Sequence, residues 1–170
     1  MKLTKHGFTL TELMAVVIII GILAGIGFGS YQKAIARSRF SEGLSAGASV
    51  QEAVNRYYYE NTDLSETARK RPKMAYLDIG LANVKDCVSK SDYCVRTKYF
   101  QISINSDGSV SATHFKGTNA NLYAIGWVPS FSGERRGEIC TPVNNTQEGQ
   151  DFCKSMGYTV KSGPISFVKP

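Results

Sequence analysis

Side chains able to do chemistry are few in this sequence and unevenly placed. Histidine occurs twice, at His6 and His114, and only His114 lies in the body of the chain. No Gly-x-Ser-x-Gly elbow, His-Glu-x-x-His pair or phosphate-cradling glycine loop accompanies it. His114 falls in an alternating stretch, which makes it a surface or half-buried strand residue. The sequence therefore predicts no catalytic residue, no metal-binding residue and no cofactor, and the chain is not expected to be an enzyme.

Four cysteines, Cys87, Cys94, Cys140 and Cys153, all lie in the second half. Their spacings lack the tight C-x2–4-C knuckle of a zinc site. An even number closing short loops reads as disulfides, which implies an oxidising compartment outside the cytoplasm. Three pairings are open to four cysteines. Short, self-contained loops favour Cys87 with Cys94 and Cys140 with Cys153, although sequence alone does not choose.

The remaining reactive group is Glu12, in "GFTLTELMAVVIIIGILAGIGF" (7–28). A carboxylate inside a membrane segment costs about 2.5–3.5 kcal/mol and is usually paired. The nearest basic side chains along the chain are Lys5 and Lys33. A cut after Gly7 would create a partner, the new α-amine of Phe8. Phe8 and Glu12 stand at i and i+4, on one helix face. The amine could pair with Glu12 of its own chain or of a neighbour, and the second choice would set the register of an assembly. The competing readings are a plain signal anchor and a secretory peptide cleaved at "GFG" (27–29).

The elements that must position these residues follow from periodicity. Leu13 to Gln32 carries no charge over 20 positions. That is about 30 Å of helix, or one hydrocarbon thickness. Gly21, Gly25, Gly27 and Gly29 interrupt it. Beyond it, Ile35, Phe40, Leu44, Gly47, Val50, Val54, Tyr57 and Tyr58 recur at helical spacing. One helix is therefore predicted from about 8 to about 60. Its weak point is "SEGLSAGAS" (41–49), which also reads as a flexible Gly/Ser linker. Residues 61 to 84 are irregular and include the basic loop "ARKRPK" (68–73), read as a solvated loop or as a contact to DNA or another anion.

After Cys94 the period shortens. "VRTKYFQISI", "NSDG" and "SVSATHFK" predict a hairpin over 95–116. A calcium loop at "NSDGS" lacks its bidentate Glu. "NLYAIGWV" (121–128) predicts a third strand, "PISFV" (164–168) a fourth, and "EGQDFCKSMG" (148–157) a short helical turn ended by Gly157. Net charge of +6 is basic but spread out, so nucleic acid as a partner rests only on the loop 68–73.

These residues resemble a known family. "GFTLTEL" (7–13) is similar to the type IV prepilin processing motif, with Gly, then Phe, then Glu at the fifth mature position. "YQKAIARSRFSEGLSAGASVQEAVNRYY" resembles the amphipathic half of a pilin helix. "CTPVNNTQEGQDFCKSMGY" resembles the disulfide-bounded loop of bacterial type IVa pilins. The resemblance implies a leader over 1–7, a membrane and filament-core half-helix over 8–32, an amphipathic half over 33–60 and a globular head over 61–170. It implies cleavage by a prepilin peptidase between Gly7 and Phe8, N-methylation of Phe8, and neutralisation by Glu12 of an adjacent subunit's amine.

The expected fold is α+β: a long helix packed on an antiparallel sheet of about four strands, with a C-terminal disulfide-bounded loop. The implied function is a structural subunit of a type IV pilus for adhesion, twitching motility or DNA uptake. A pseudopilin of type II secretion is the alternative. Implied partners are further copies of the chain as a homopolymer, the peptidase, the inner-membrane assembly machinery and the membrane itself. Implied locations are the inner membrane before assembly and the extracellular filament after it. Many pilins carry proline where this chain has Gly29, and the glycines at 25, 27 and 29 are expected to loosen the helix by a different route. One feature runs against this scheme: Lys33, Arg37 and Arg39 follow the apolar run on the side that must be external, contrary to the positive-inside rule.

Overall fold

A computed structural model describes residues 9–81, 84–87, 91–115, 120–133, 137–160 and 167–168. The chain divides into two compact units, residues 1–38 and 39–170. Helix α1 runs as one element from Leu10 to Glu60 and is unbroken through 21–30. Phe8, the expected first helical residue, lies outside the described residues.

In the second unit, α1 buries Phe40, Gly43, Gly47, Val50, Gln51, Ala53 and Val54, a stripe at mostly helical spacings. The strands are β1 (Lys85–Asp86), β2 (Cys94–Arg96), β3 (Phe100–Ile104), β4 (Val110–His114), β5 (Tyr123–Trp127), β6 (Glu138–Pro142), β7 (Thr159–Val160) and β8 (Phe167–Val168). They form one sheet in the order β1-β2-β3-β4-β5-β6-β8-β7, and every pairing is antiparallel. Residues in β3, β4 and β5 alternate buried and half-buried, so the sheet packs one face on a core. That core joins the α1 stripe to Phe100, Ile102, Ile104, Val110, Ala112, Tyr123, Ile125 and Trp127.

The segment "SEGLSAGAS", which also reads as a linker, is helix. Its glycines are contact points. A methyl group on Gly43 would collide with the Phe100 ring, and one on Gly47 with the Trp127 indole. The absence of side chains at these two positions lets large rings lie against the helix backbone. Gln51, one turn further, is buried and fully engaged. Its Oε1 accepts the Val110 N–H at 2.9 Å and its Nε2 donates to the Gly108 carbonyl at 3.2 Å. Both partners flank the end of the β3–β4 turn. That turn is closed by Asp107, whose Oδ1 accepts from the Ser109 N–H, and by Gly108 at φ +85°.

The expected single strand from Val95 to Ile104 is corrected to two. Thr97 to Tyr99 form a turn, and β2 folds back on β3 with Cys94 opposite Ser103. The turn is held by Thr97, whose N–H donates to the Phe100 carbonyl at 2.8 Å while its Oγ1 accepts the Phe100 N–H at 3.1 Å. The expected four strands account for β3, β4, β5 and β8, while the short β1 and β7, and β6 with Cys140 on it, are additions. Two short helices complete the unit, α2 (Glu66–Lys70) and α3 (Gln147–Ser155). Gly157, at φ +90°, ends α3.

Candidate functional site

The chemistry-bearing residues separate into a helix N-terminus and two covalent staples. At the N-terminus, Thr9 precedes α1 and Glu12 lies in its first turn. Glu12 Oε2 accepts the Thr9 backbone N–H at 2.9 Å and the Thr9 hydroxyl at 2.7 Å. In return the Glu12 N–H reaches Thr9 Oγ1 at 3.4 Å. This is a capping box, Thr-x-x-Glu, in which each residue satisfies the other's unpaired helix-end donor. The carboxylate also faces the positive end of the helix dipole. Both bonds from Thr9 fall on one carboxylate oxygen, Oε2.

Behind Glu12 the apolar residues are uncovered. Leu13, Met14, Val17, Ile18, Ile20, Leu23, Ile26 and Phe28 are each more than half exposed. A stretch this long and apolar is a membrane span or an interaction surface, since soluble chains do not leave such area in water. Gly21, Gly25, Gly27 and Gly29 have open space where a side chain would stand. Gly7 and Phe8 lie outside the described residues.

The first staple joins Cys87, just after β1, to Cys94 at the start of β2. The second joins Cys140 on β6 to Cys153 on α3, with both cysteines completely buried. It fixes α3 over the sheet, where Phe152 stacks on Tyr123 with ring centroids 4.3 Å apart. His114 is buried in the same aromatic cluster, stacked on Tyr123 at 5.3 Å and edge-on to Phe100. It is expected half-buried or at the surface and is instead fully buried, packed between aromatic rings. Among the described residues no group of three or more His, Cys, Asp or Glu gathers to hold a metal.

The family model described as the prokaryotic N-terminal methylation motif matches residues 2–28, over Gly7, Phe8 and Glu12. A fimbrial protein of Pseudomonas aeruginosa is 32% identical over 135 residues, which is 78% of this chain and 82% of that protein. The chain belongs to the type IV pilin family. The fimbrial protein EcpC of Eikenella corrodens is 47% identical to this pilin over 58 residues, 34% of this chain and 38% of that protein. The type IV major fimbrial protein FimA of Dichelobacter nodosus is 42% identical over 66 residues, 39% and 42% of the two chains. No solved structure matches the pilin significantly.

As a pilin it is a structural pilus subunit, anchored through an apolar N-terminal helix. One residue that holds Glu12 escapes the periodicity reading, which is Thr9. Its signal is nevertheless present, because "TLTE" (9–12) is the T-x-x-E capping pattern standing before an apolar run. The basic segment 68–73, expected as a loop, is corrected: Ala68 to Lys70 belong to α2 and only the residues after it are irregular. Lys70 pairs with Glu66 at 2.5 Å and Lys73 with Asp92 at 2.9 Å. Arg69 stacks over Tyr58, while Arg71 stacks over Tyr93 and donates to the Ile104 carbonyl. All four cations are engaged with other residues of the second unit.

Proposed function

We propose that this pilin is cut between Gly7 and Phe8 by a prepilin peptidase, that Phe8 becomes the N-methylated first residue, and that Glu12 draws the amine of an adjacent copy into register as the chain polymerises. The supporting observation is Glu12 itself, a carboxylate at the head of an uncovered apolar helix and held there by Thr9. The Thr9 bonds satisfy one carboxylate oxygen in the single chain, and Oε1 then receives a cationic partner when a second copy arrives. Pairing would remove Glu12's cost in lipid, which favours extraction into a bundle over residence as a lone anchor.

Under this reading residues 1–7 are the leader, 8–32 the membrane and filament-core half-helix, 33–60 the amphipathic half and 61–170 the head. The chain waits in the inner membrane, is assembled by machinery there, and ends in an extracellular filament serving surface attachment, twitching motility or DNA uptake. A pilus is preferred to a secretion pseudopilus because the relatives are named as fimbrial proteins and the head is stapled by disulfides. N-terminal sequencing and intact mass of protein sheared from cells test the reading. A start at N-methylated Phe8 supports it, whereas a start at Met1 or near Ser30 removes the mechanism.

A further inference from the structure

The head carries a second set of cations that the segment 68–73 throws into relief. Arg39, the first residue of the second unit, places its guanidinium carbon 4.6 Å from the centre of the Tyr99 ring. Lys98 Nζ stands 5.1 Å from the same ring. The Tyr99 carbonyl accepts the Phe115 N–H, and Arg96 lies 4.2 Å over the Phe115 ring. Arg39 and Lys98 on Tyr99, and Arg96 on Phe115, are thus two neighbouring cation–ring pairs joined by that backbone hydrogen bond. Among the described residues none of the three cations makes an ion pair with a carboxylate. Glu42, one turn along α1 from Arg39, is not within ion-pair distance of it. Lys98 and Arg39, both beside the ring, hold the Tyr99 phenol below its ordinary pKa, the signature of a local positive potential.

Three uncompensated cations on two aromatic rings form a surface that seeks anions, and its place in the chain says which. Arg39 follows Gln32, the last residue of the apolar run, by only seven residues, so the chain itself tethers Arg39 near the headgroup layer, where aromatic rings also partition. We infer that Arg39, Arg96 and Lys98, with Tyr99 and Phe115, form a docking surface for the anionic phospholipid headgroups of the membrane that anchors this pilin before assembly. Lys33 and Arg37, both exposed on α1, also follow the apolar run in the sequence. The inference rests on membrane anchoring through residues 13–32, and it gives the basic residues on the external side a purpose. They bind lipid there rather than set topology.

The test is backbone hydrogen exchange of the full chain in nanodiscs of phosphatidylcholine alone and of an equal phosphatidylcholine–phosphatidylglycerol mixture. Residues 95–101 and 112–115 are expected to be protected in the mixture only. Each cation near an anionic surface contributes roughly a fivefold preference, so Lys98→Gln should lower the protection about fivefold and Lys98→Arg should retain it. Lys98 is exposed, so its substitution leaves the head folded. Arg39→Gln with Arg96→Gln should remove most of the rest, with an unchanged circular dichroism spectrum. Equal protection in both lipids, or no response to Lys98→Gln, overturns the inference. Protection by a short DNA duplex in uncharged nanodiscs, without any from phosphatidylglycerol, reassigns the surface to nucleic acid. A chain that co-purifies with neither nanodisc refutes membrane anchoring itself, which is a different failure.

Discussion

Gly47→Ala separates a packed helix face from a flexible connector. In a solvated helix or linker, alanine for glycine stabilises by about 1 kcal/mol through backbone entropy. In this head the added methyl would meet the Trp127 indole, which is itself buried beside β4 and β6. Overpacking of a rigid ring in a close-packed core costs about 1–3 kcal/mol. The steric cost exceeds the entropic gain, so the net expectation is destabilisation of about 1 kcal/mol, a fall in unfolding midpoint of roughly 2–8 °C for a head of this size. Trp127 is the sole tryptophan, so its fluorescence reports directly on the contact. Thermal melts of the full chain in detergent, followed at that signal, are the assay. Gly25→Ala is the internal control, since its methyl would enter open space. An unchanged or raised midpoint for Gly47→Ala would refute a ring-seating role for these glycines.

Four further outcomes are expected. Gln51→Leu should cost about 2–4 kcal/mol in urea unfolding, because the Val110 N–H and Gly108 carbonyl would each be left buried without a partner. Replacing both Cys140 and Cys153 with serine should lower stability by about 3 kcal/mol through the entropy of the opened loop, and reduction of the wild type, which also opens Cys87–Cys94, should lower it at least as far. Burial raises the phenols of Tyr123 and Tyr158 above the ordinary range. The unfolded chain therefore ionises first, stability is complete below about pH 10, and it falls above that by up to about 1.4 kcal/mol per pH unit for each tyrosine; Tyr158→Phe should flatten the decline in an alkaline titration. Glu12→Ala should leave the chain in the membrane fraction but abolish surface filaments seen by electron microscopy.

Much of this fold is legible because burial writes its period into the sequence. The α1 stripe from Phe40 to Val54 keeps the 3.6 period, and β3 and β4 keep the period of two. What escapes is punctuation without the usual residues. The turn between β2 and β3 uses Thr97, Lys98 and Tyr99, and Thr97 closes it with its own hydroxyl, so no glycine, proline or asparagine marks it. Strand β6 is as long as β5 beside it, but its burial does not alternate cleanly and it ends in Pro142, which hides it among loop residues. "SEGLSAGAS" misleads in the opposite sense: its small residues signal flexibility in isolation and close approach once Phe100 and Trp127 are present. At the candidate site, Glu12 is conspicuous because a charge stands in an apolar run. Thr9 is less so, since its partner becomes visible only when the helix end is placed.

The glycine notches on α1 have a mechanical meaning as well. If the chain polymerises through α1 as proposed, any load on that helix must pass into the sheet. Phe100 and Trp127 seat in the notches at Gly43 and Gly47 like teeth in a rack, and Gln51 bolts the next turn to the β3–β4 bend. Sliding α1 along the sheet would require both rings to ride over backbone and two buried hydrogen bonds to break together. Tension would then cross from helix to sheet in shear over three contacts at once, and the head would yield as a block before the helix slipped.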